Sequence, residues 1–206
     1  MAETEQPQIY LITPSEFELS SFSTQLASVL DTHAVACVRL TMASHDEDRI
    51  SRAADALREV SHARDVALVI DSHILLAERL GLDGVHLRDA ARTVRYARKA
   101  LGGDAIVGSF CAASRHDGMT AAEAGADYVS FGPVGDTPLG NGTIADADLF
   151  EWWSSMIEVP IVAEGALDAD LVRQLAPIAD FFAIGDEIWL ADDPLHALGA
   201  LKAALT

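Results

Sequence analysis

Short apolar stretches alternate with longer stretches of helical period along nearly the whole chain, and this alternation restricts the fold more than any other feature. The short stretches fall at 8–12, 34–40, 66–70, 84–87, 105–110, 128–131, 161–163 and 181–184. Each is predicted to be a strand, because it is brief, largely aliphatic or aromatic, and apolar on both faces. Between them, apolar residues recur at helical spacing, which predicts helices at 16–30, 46–62, 74–80, 90–101, 114–124, 145–157, 168–175 and 194–204. Strands buried on both faces belong to a parallel sheet covered by crossover helices. Eight such units in 206 residues predict an α/β fold, a single-domain (β/α)8 TIM barrel spanning 1–206, with an open doubly wound sheet as the alternative. Ile12, Thr13, Pro14 and Ser15 stand where a Gly-x-Gly-x-x-Gly turn would follow the first strand, and no Gly-x-x-x-x-Gly-Lys-Ser/Thr occurs. The usual nucleotide cradles are therefore missing.

Helix punctuation agrees with this segmentation. Asp168 is placed to cap a helix through Leu171 and Leu175, while Gly81 and Gly125 follow helical stretches as left-handed stops. One long glycine-rich loop, 132–142, follows the sixth strand, on the face where barrel enzymes assemble their sites. It is expected to contact a ligand or act as a lid.

A chain of this length buries about 70% of its unfolded surface, enough for one full core. Fourteen Lys and Arg against 32 Asp and Glu give a formal charge of −18, which repels nucleic acid and anionic membrane surfaces. The longest apolar runs are far shorter than the ~20 residues of a membrane span. With Glu3 and Glu5 near the start and no basic segment leading into an apolar one, a cytoplasmic protein is expected. Cys37 and Cys111 lie in or beside apolar runs and are expected to be buried, reduced thiols. The expected partner is a small-molecule ligand, with neither nucleic acid nor membrane, and a homo-oligomer is left open.

The stretch from Gly125 through Ala126, Asp127, Tyr128 and Val129 to Gly132 and Pro133 resembles the Gly-Ala-Asp-Tyr-Val-x-x-Gly-Pro signature of thiamine-phosphate synthases and the related thiazole tautomerases. Further matches run along the chain. Ile9-Tyr10-Leu11-Ile12-Thr13 is similar to the family's first strand, and Gly81-Leu82-Asp83-Gly84-Val85-His86-Leu87 to its Gly-Ala-Asp-Gly-Val-His-Leu segment. Val159-Pro160-Ile161-Val162 is similar to the strand before its phosphate-binding glycines. The resemblance implies a TIM barrel, magnesium as cofactor, and the joining of an aminopyrimidine diphosphate to a thiazole monophosphate with release of pyrophosphate. Departure of pyrophosphate disperses negative charge, so cationic side chains and metal ligands are expected at the strand ends.

Carried over residue by residue, the family's Gln-x-Arg-x-Lys reads Cys37-Val38-Arg39-Leu40-Thr41 and keeps Arg39. Its Asn-Asp pair aligns either with Asp71-Ser72 or, under a different gap, with its Asp on Asp71 after Ile70, which would make Asp71 the magnesium carboxylate. A second metal carboxylate falls at Ala91, with Asp89 close by, and the serine and histidine after the fifth strand correspond to Phe110 and Ala112. In the long loop Thr137 is retained but the lysine is not. The Gly-Gly pair after the seventh strand falls within Ala163-Glu164-Gly165-Ala166, and the eighth strand ends Ile184-Gly185-Asp186-Glu187 in place of Ile-Ser. Gly165 and Gly185 are read as permissive positions whose amides can face a ligand.

Arg39, Asp71, Thr137, Glu164, Gly165, Gly185 and Asp186 are thus the expected ligand contacts, with Asp71 the expected metal ligand. Glu164, Asp186 and Glu187 either turn carboxylates into the phosphate cup or point outward between helices; the first arrangement would repel phosphate. Two functions fit: the family's transferase reaction, or a barrel in which that reaction is lost or changed and a small ligand, such as a cation, is bound. His86, on the fourth strand, is expected to be packed or hydrogen-bonded, and His33, His45, His62, His73, His116 and His196 to be solvated.

Overall fold

The computed structural model describes residues 6–205, so the acidic positions Glu3 and Glu5 lie outside the described residues. Eight parallel strands close into a barrel in sequence order: β1 (Gln8–Ile12), β2 (Cys37–Leu40), β3 (Ala67–Asp71), β4 (Gly84–Leu87), β5 (Ile106–Phe110), β6 (Tyr128–Phe131), β7 (Ile161–Glu164) and β8 (Phe181–Ile184), with β8 pairing back on β1. Around them pack α1 (Leu19–Thr32), α2 (Glu47–His62), α3 (Ile74–Leu80), α4 (Val94–Leu101), α5 (Arg115–Glu123), α6 (Ala147–Met156), α7 (Ala169–Leu175), α8 (Asp186–Trp189) and α9 (Pro194–Ala203). The open-sheet alternative is excluded by closure. Among the described residues no helix is long and apolar enough to cross a membrane.

Strand periodicity divides the core into two compartments. Leu11, Val38, Leu68, Val85, Val107 and Val129 join the large cluster between barrel and helices, whereas Tyr10, Cys37, Val69, Tyr128, Val162 and Ala183 fill the barrel interior. Side chains two residues apart share a face. Arg39, Asp71, Ser130 and Glu164 stand two residues beyond Cys37, Val69, Tyr128 and Val162, so they face the interior towards its C-terminal mouth.

The opposite end of the barrel carries a repeated tie. Asp83, Asp127 and Asp180 stand just before or near the start of β4, β6 and β8, and their carboxylates accept from the backbone N–H of Leu68, Val107 and Ile161 at 2.7, 2.7 and 2.8 Å. The same aspartates donate their own N–H back to the carbonyls of those residues. The aspartate of the Gly-Ala-Asp signature is therefore a structural clasp between neighbouring strands, far from the mouth.

Several element limits differ from expectation. The first helix starts at Leu19, not at Glu16, because Glu18 caps it, accepting from Ser20 and Ser21 N–H. β7 runs one residue further, to Glu164, and α8 was not anticipated, since four residues are too few to show a period. Trp189 anchors α8 to β1 by donating its indole N–H to the Ile12 carbonyl at 2.6 Å, and Ile188 is fully buried. Asp168 caps α7 as expected, and Gly81 ends α3 at φ +61°. Cys37 and Cys111 are free and buried, and burial pushes both thiols up to about 12, which leaves them unreactive.

Candidate functional site at the C-terminal mouth of the barrel

A cavity of about 240 Å3 opens at the C-terminal strand ends. Arg39, Asp71 and Glu164 line its inner part, Gly165, Gly185 and Asp186 the side formed after β7 and β8, and Thr137 the side formed by the 132–142 loop. The seven residues singled out from the sequence thus share one depression. A wider hollow of about 750 Å3 adjoins it around Phe110, Ala112 and His116, and Arg88 lines both.

Arg39 of β2 and Glu164 of β7 meet across the interior, Nη1 to Oε2 at 3.0 Å, with side chains 8% and 2% exposed. Glu164 therefore points inward. The guanidinium also lies 5.7 Å from the centre of the Tyr10 ring. Burial works against its charge, but Glu164, Tyr10 and Asp71 outweigh that and hold Arg39 protonated more firmly than usual. Arg39 Nε has no hydrogen-bond partner among the described residues. A ligand anion approaching Arg39 must share it with Glu164.

Asp71, at the end of β3, is mostly buried, and burial raises its carboxyl pKa although Arg39 and Arg88 pull it down. Its Oδ2 lies 3.4 Å from Arg88 Nη1, and its Oδ1 has no partner among the described residues. Arg88 is 53% exposed and free to turn towards a ligand. Magnesium requires several oxygen ligands. Asp89 accepts from Thr93 Oγ1 at 2.9 Å instead of joining Asp71, Glu164 is taken by Arg39, and no group of three or more His, Cys, Asp or Glu suited to a metal occurs among the described residues. With guanidinium groups as the neighbours of Asp71, this set does not fit a resident magnesium ion.

The two glycines differ in purpose. Gly165 has φ +95°, and a Cβ there would come within 2.9 Å of Leu139 Cδ2 and Pro133 Cα, so glycine is required twice over. Gly185 has φ −135° and ψ −103°, outside the helical and extended regions, and it also supplies room, since a Cβ would meet Ile12 at 3.2 Å. Asp186 is exposed on the rim. The carboxylate that engages the backbone here is Glu187, whose Oε2 accepts from Gly185 N–H at 2.7 Å and Oε1 from Leu167 N–H at 3.1 Å.

Within the barrel, His86 Nδ1 contacts Tyr128 Oη at 2.8 Å, and Tyr128 Oη contacts Tyr10 Oη at 2.8 Å. Burial, then the charge of Arg39, pushes the imidazole pKa well down, and burial raises both tyrosines, so all three are neutral. This matches the hydrogen-bonded histidine expected from sequence. His62 and His33 are not simply solvated: His62 pairs with Asp83 at 2.7 Å, and His33 contacts the Leu195 carbonyl at 3.0 Å.

Residues 9–188 match the family described as thiamine monophosphate synthase. The chain is 41% identical over 184 residues to the thiamine-phosphate synthase of Rhodospirillum centenum, covering 88% of this chain and 89% of that one. Over 200 residues it is 38% identical to the thiamine-phosphate synthase of Erythrobacter litoralis, covering 94% and 93%. The chain belongs to the thiamine monophosphate synthase family. Its fold is that of the thiamine phosphate pyrophosphorylase from Pyrococcus furiosus, at a TM-score of 0.83 and 20% identity over 96% of this chain and 95% of the other.

In this member of the thiamine monophosphate synthase family, Arg88 escaped the sequence reading, and the sequence left the direction of Glu187 open. Arg88 directly follows Val85-His86-Leu87, and its position at the end of β4 was a usable signal. Glu187 was noticed as a charge near the cup, but only the turn into α8 reveals that its carboxylate reaches back to the amides.

Proposed function

We propose that this chain is a pyrophosphate-releasing transferase of thiamine synthesis, joining an aminopyrimidine diphosphate to a thiazole monophosphate at the C-terminal mouth. The observation that carries the reading is the placement of two guanidinium groups, Arg39 and Arg88, in one cavity with Asp71, whose carboxyl pKa both pull down. In the reaction the carbon–oxygen bond to the diphosphate breaks, the pyrophosphate leaves with the electron pair, and the thiazole bonds to the carbon so freed. Positive charge fixed where that negative charge appears lowers the barrier, more so in a cavity than in water. Arg88, exposed and only loosely paired, is the group able to follow the leaving pyrophosphate, and Arg39 supplies a fixed charge from the barrel interior. Thr137 contributes a hydroxyl from the long loop, and the glycine at 165 lets that loop close against the end of β7. Magnesium is implied by the family, but no step is assigned to it at these residues.

A second reading, a relative that binds a small cationic ligand without transfer, is favoured by one observation: Glu164 and Asp71 bring two carboxylates into the same cavity. Expression in a bacterium lacking its own thiamine-phosphate synthase separates the two. Growth without added thiamine is expected; failure to grow while folded protein accumulates would overturn the transferase reading and favour the second.

A further inference from the structure

We propose that Glu187 is a built-in occupant of an anion seat, and that it sets how tightly the mouth accepts a ligand phosphate. Its carboxylate straddles two backbone N–H groups from different loops, Leu167 after β7 and Gly185 after β8, at 3.1 and 2.7 Å. Converging amides of this kind form a concavity for negative charge, and in eight-stranded barrels the loops after the seventh and eighth strands commonly hold phosphate groups. Here the negative charge is the chain's own. Glu187 and Gly185 line the same cavity as Arg39, and so do Gly165 and Ala166, which lead into the buried Leu167, so the carboxylate and the Gly185 amide belong to the mouth.

An anion placed on these amides by a ligand competes with a tethered carboxylate, which returns whenever the ligand leaves. Arg39 is shared with Glu164 in the same way, at 3.0 Å. Both of these anion-binding elements of the inner cavity therefore carry an internal carboxylate, and phosphate binding becomes an exchange. Glu187 is not needed to hold α8 in place: Trp189 bonds to the Ile12 carbonyl, and Ile188 is fully buried. Removal of the Glu187 side chain should thus leave the amides free and the helix seated. Glu187 acts on ligand choice through these amides, so it is a positioning and specificity residue.

The test uses the full chain and inorganic phosphate, and it needs no turnover, so absence of transferase activity would leave the inference standing. At low ionic strength the wild-type Leu167 and Gly185 amide resonances are expected to stay in place up to about 1 mM phosphate. In Glu187→Ala both should move, with affinity at least about tenfold tighter by calorimetry. Glu187→Gln keeps the reach and volume while losing the charge; it should also bind phosphate more tightly than wild type, and it serves if the alanine variant does not fold. Wild-type amides that shift well below about 1 mM phosphate, or folded variants whose affinity is unchanged, would overturn the proposal.

Discussion

Arg39 and Glu164 set the chemistry of the mouth. A buried ion pair stabilises little over an apolar pair, but removal of one partner strands the other's charge. Glu164→Ala is therefore expected to cost about 3–5 kcal/mol in urea unfolding, even though it removes a carboxylate that opposes phosphate. The stranded Arg39 would then seek an anion, so added pyrophosphate should raise the melting temperature of the variant more than that of the wild type. An unchanged stability would mean that Glu164 does not pair with Arg39 in solution. The pattern of residues predicted that Arg39 and Glu164 stand at strand ends, but not that they touch. β2 and β7 are separated by β1 and β8, and a contact across a barrel interior depends on closure and stagger, which local pattern does not carry.

Among the elements, the strands carry the strongest sequence signal, because a strand buried on both faces is a short, uninterrupted apolar run. Their ends were less legible. β7 extends to Glu164, where the apolar run stops but the ladder continues, and α8 lies in a stretch too short for helical period. The clasps at the other end were hidden inside a recognisable motif. Asp127 accepts from Val107 N–H at 2.7 Å and from Arg98 Nη2 at 2.6 Å, and Arg98 also donates to the Gly125 and Ala105 carbonyls. One carboxylate thus joins β5, β6 and α4. Asp127→Ala should destabilise the protein by about 1–3 kcal/mol, the cost of leaving a backbone N–H and a guanidinium without their charged acceptor. Ligand affinity at the opposite end should be unaffected. A variant of unchanged stability with impaired ligand binding would place Asp127 in the site instead of the frame.

At the scale of the whole molecule, closure into a barrel is what turns scattered residues into a site. Arg39, Asp71, Glu164 and Glu187 are spread over most of the chain, yet parallel strands in sequence order bring their C-terminal ends to one rim. The chain carries a net charge of −18, and at the mouth the guanidinium groups of Arg39 and Arg88 stand among the carboxylates of Asp71, Glu164, Asp186 and Glu187. The presence of both guanidinium groups, Arg39 and Arg88, among those carboxylates is the basis for assigning transfer with loss of pyrophosphate. The most direct measurement is turnover by the purified chain supplied with aminopyrimidine diphosphate, thiazole monophosphate and magnesium, with thiamine phosphate and pyrophosphate quantified together. The expected result is one pyrophosphate released for each thiamine phosphate formed, with many turnovers per protein chain. Folded protein that yields no thiamine phosphate, or that releases pyrophosphate without forming it, would contradict the account.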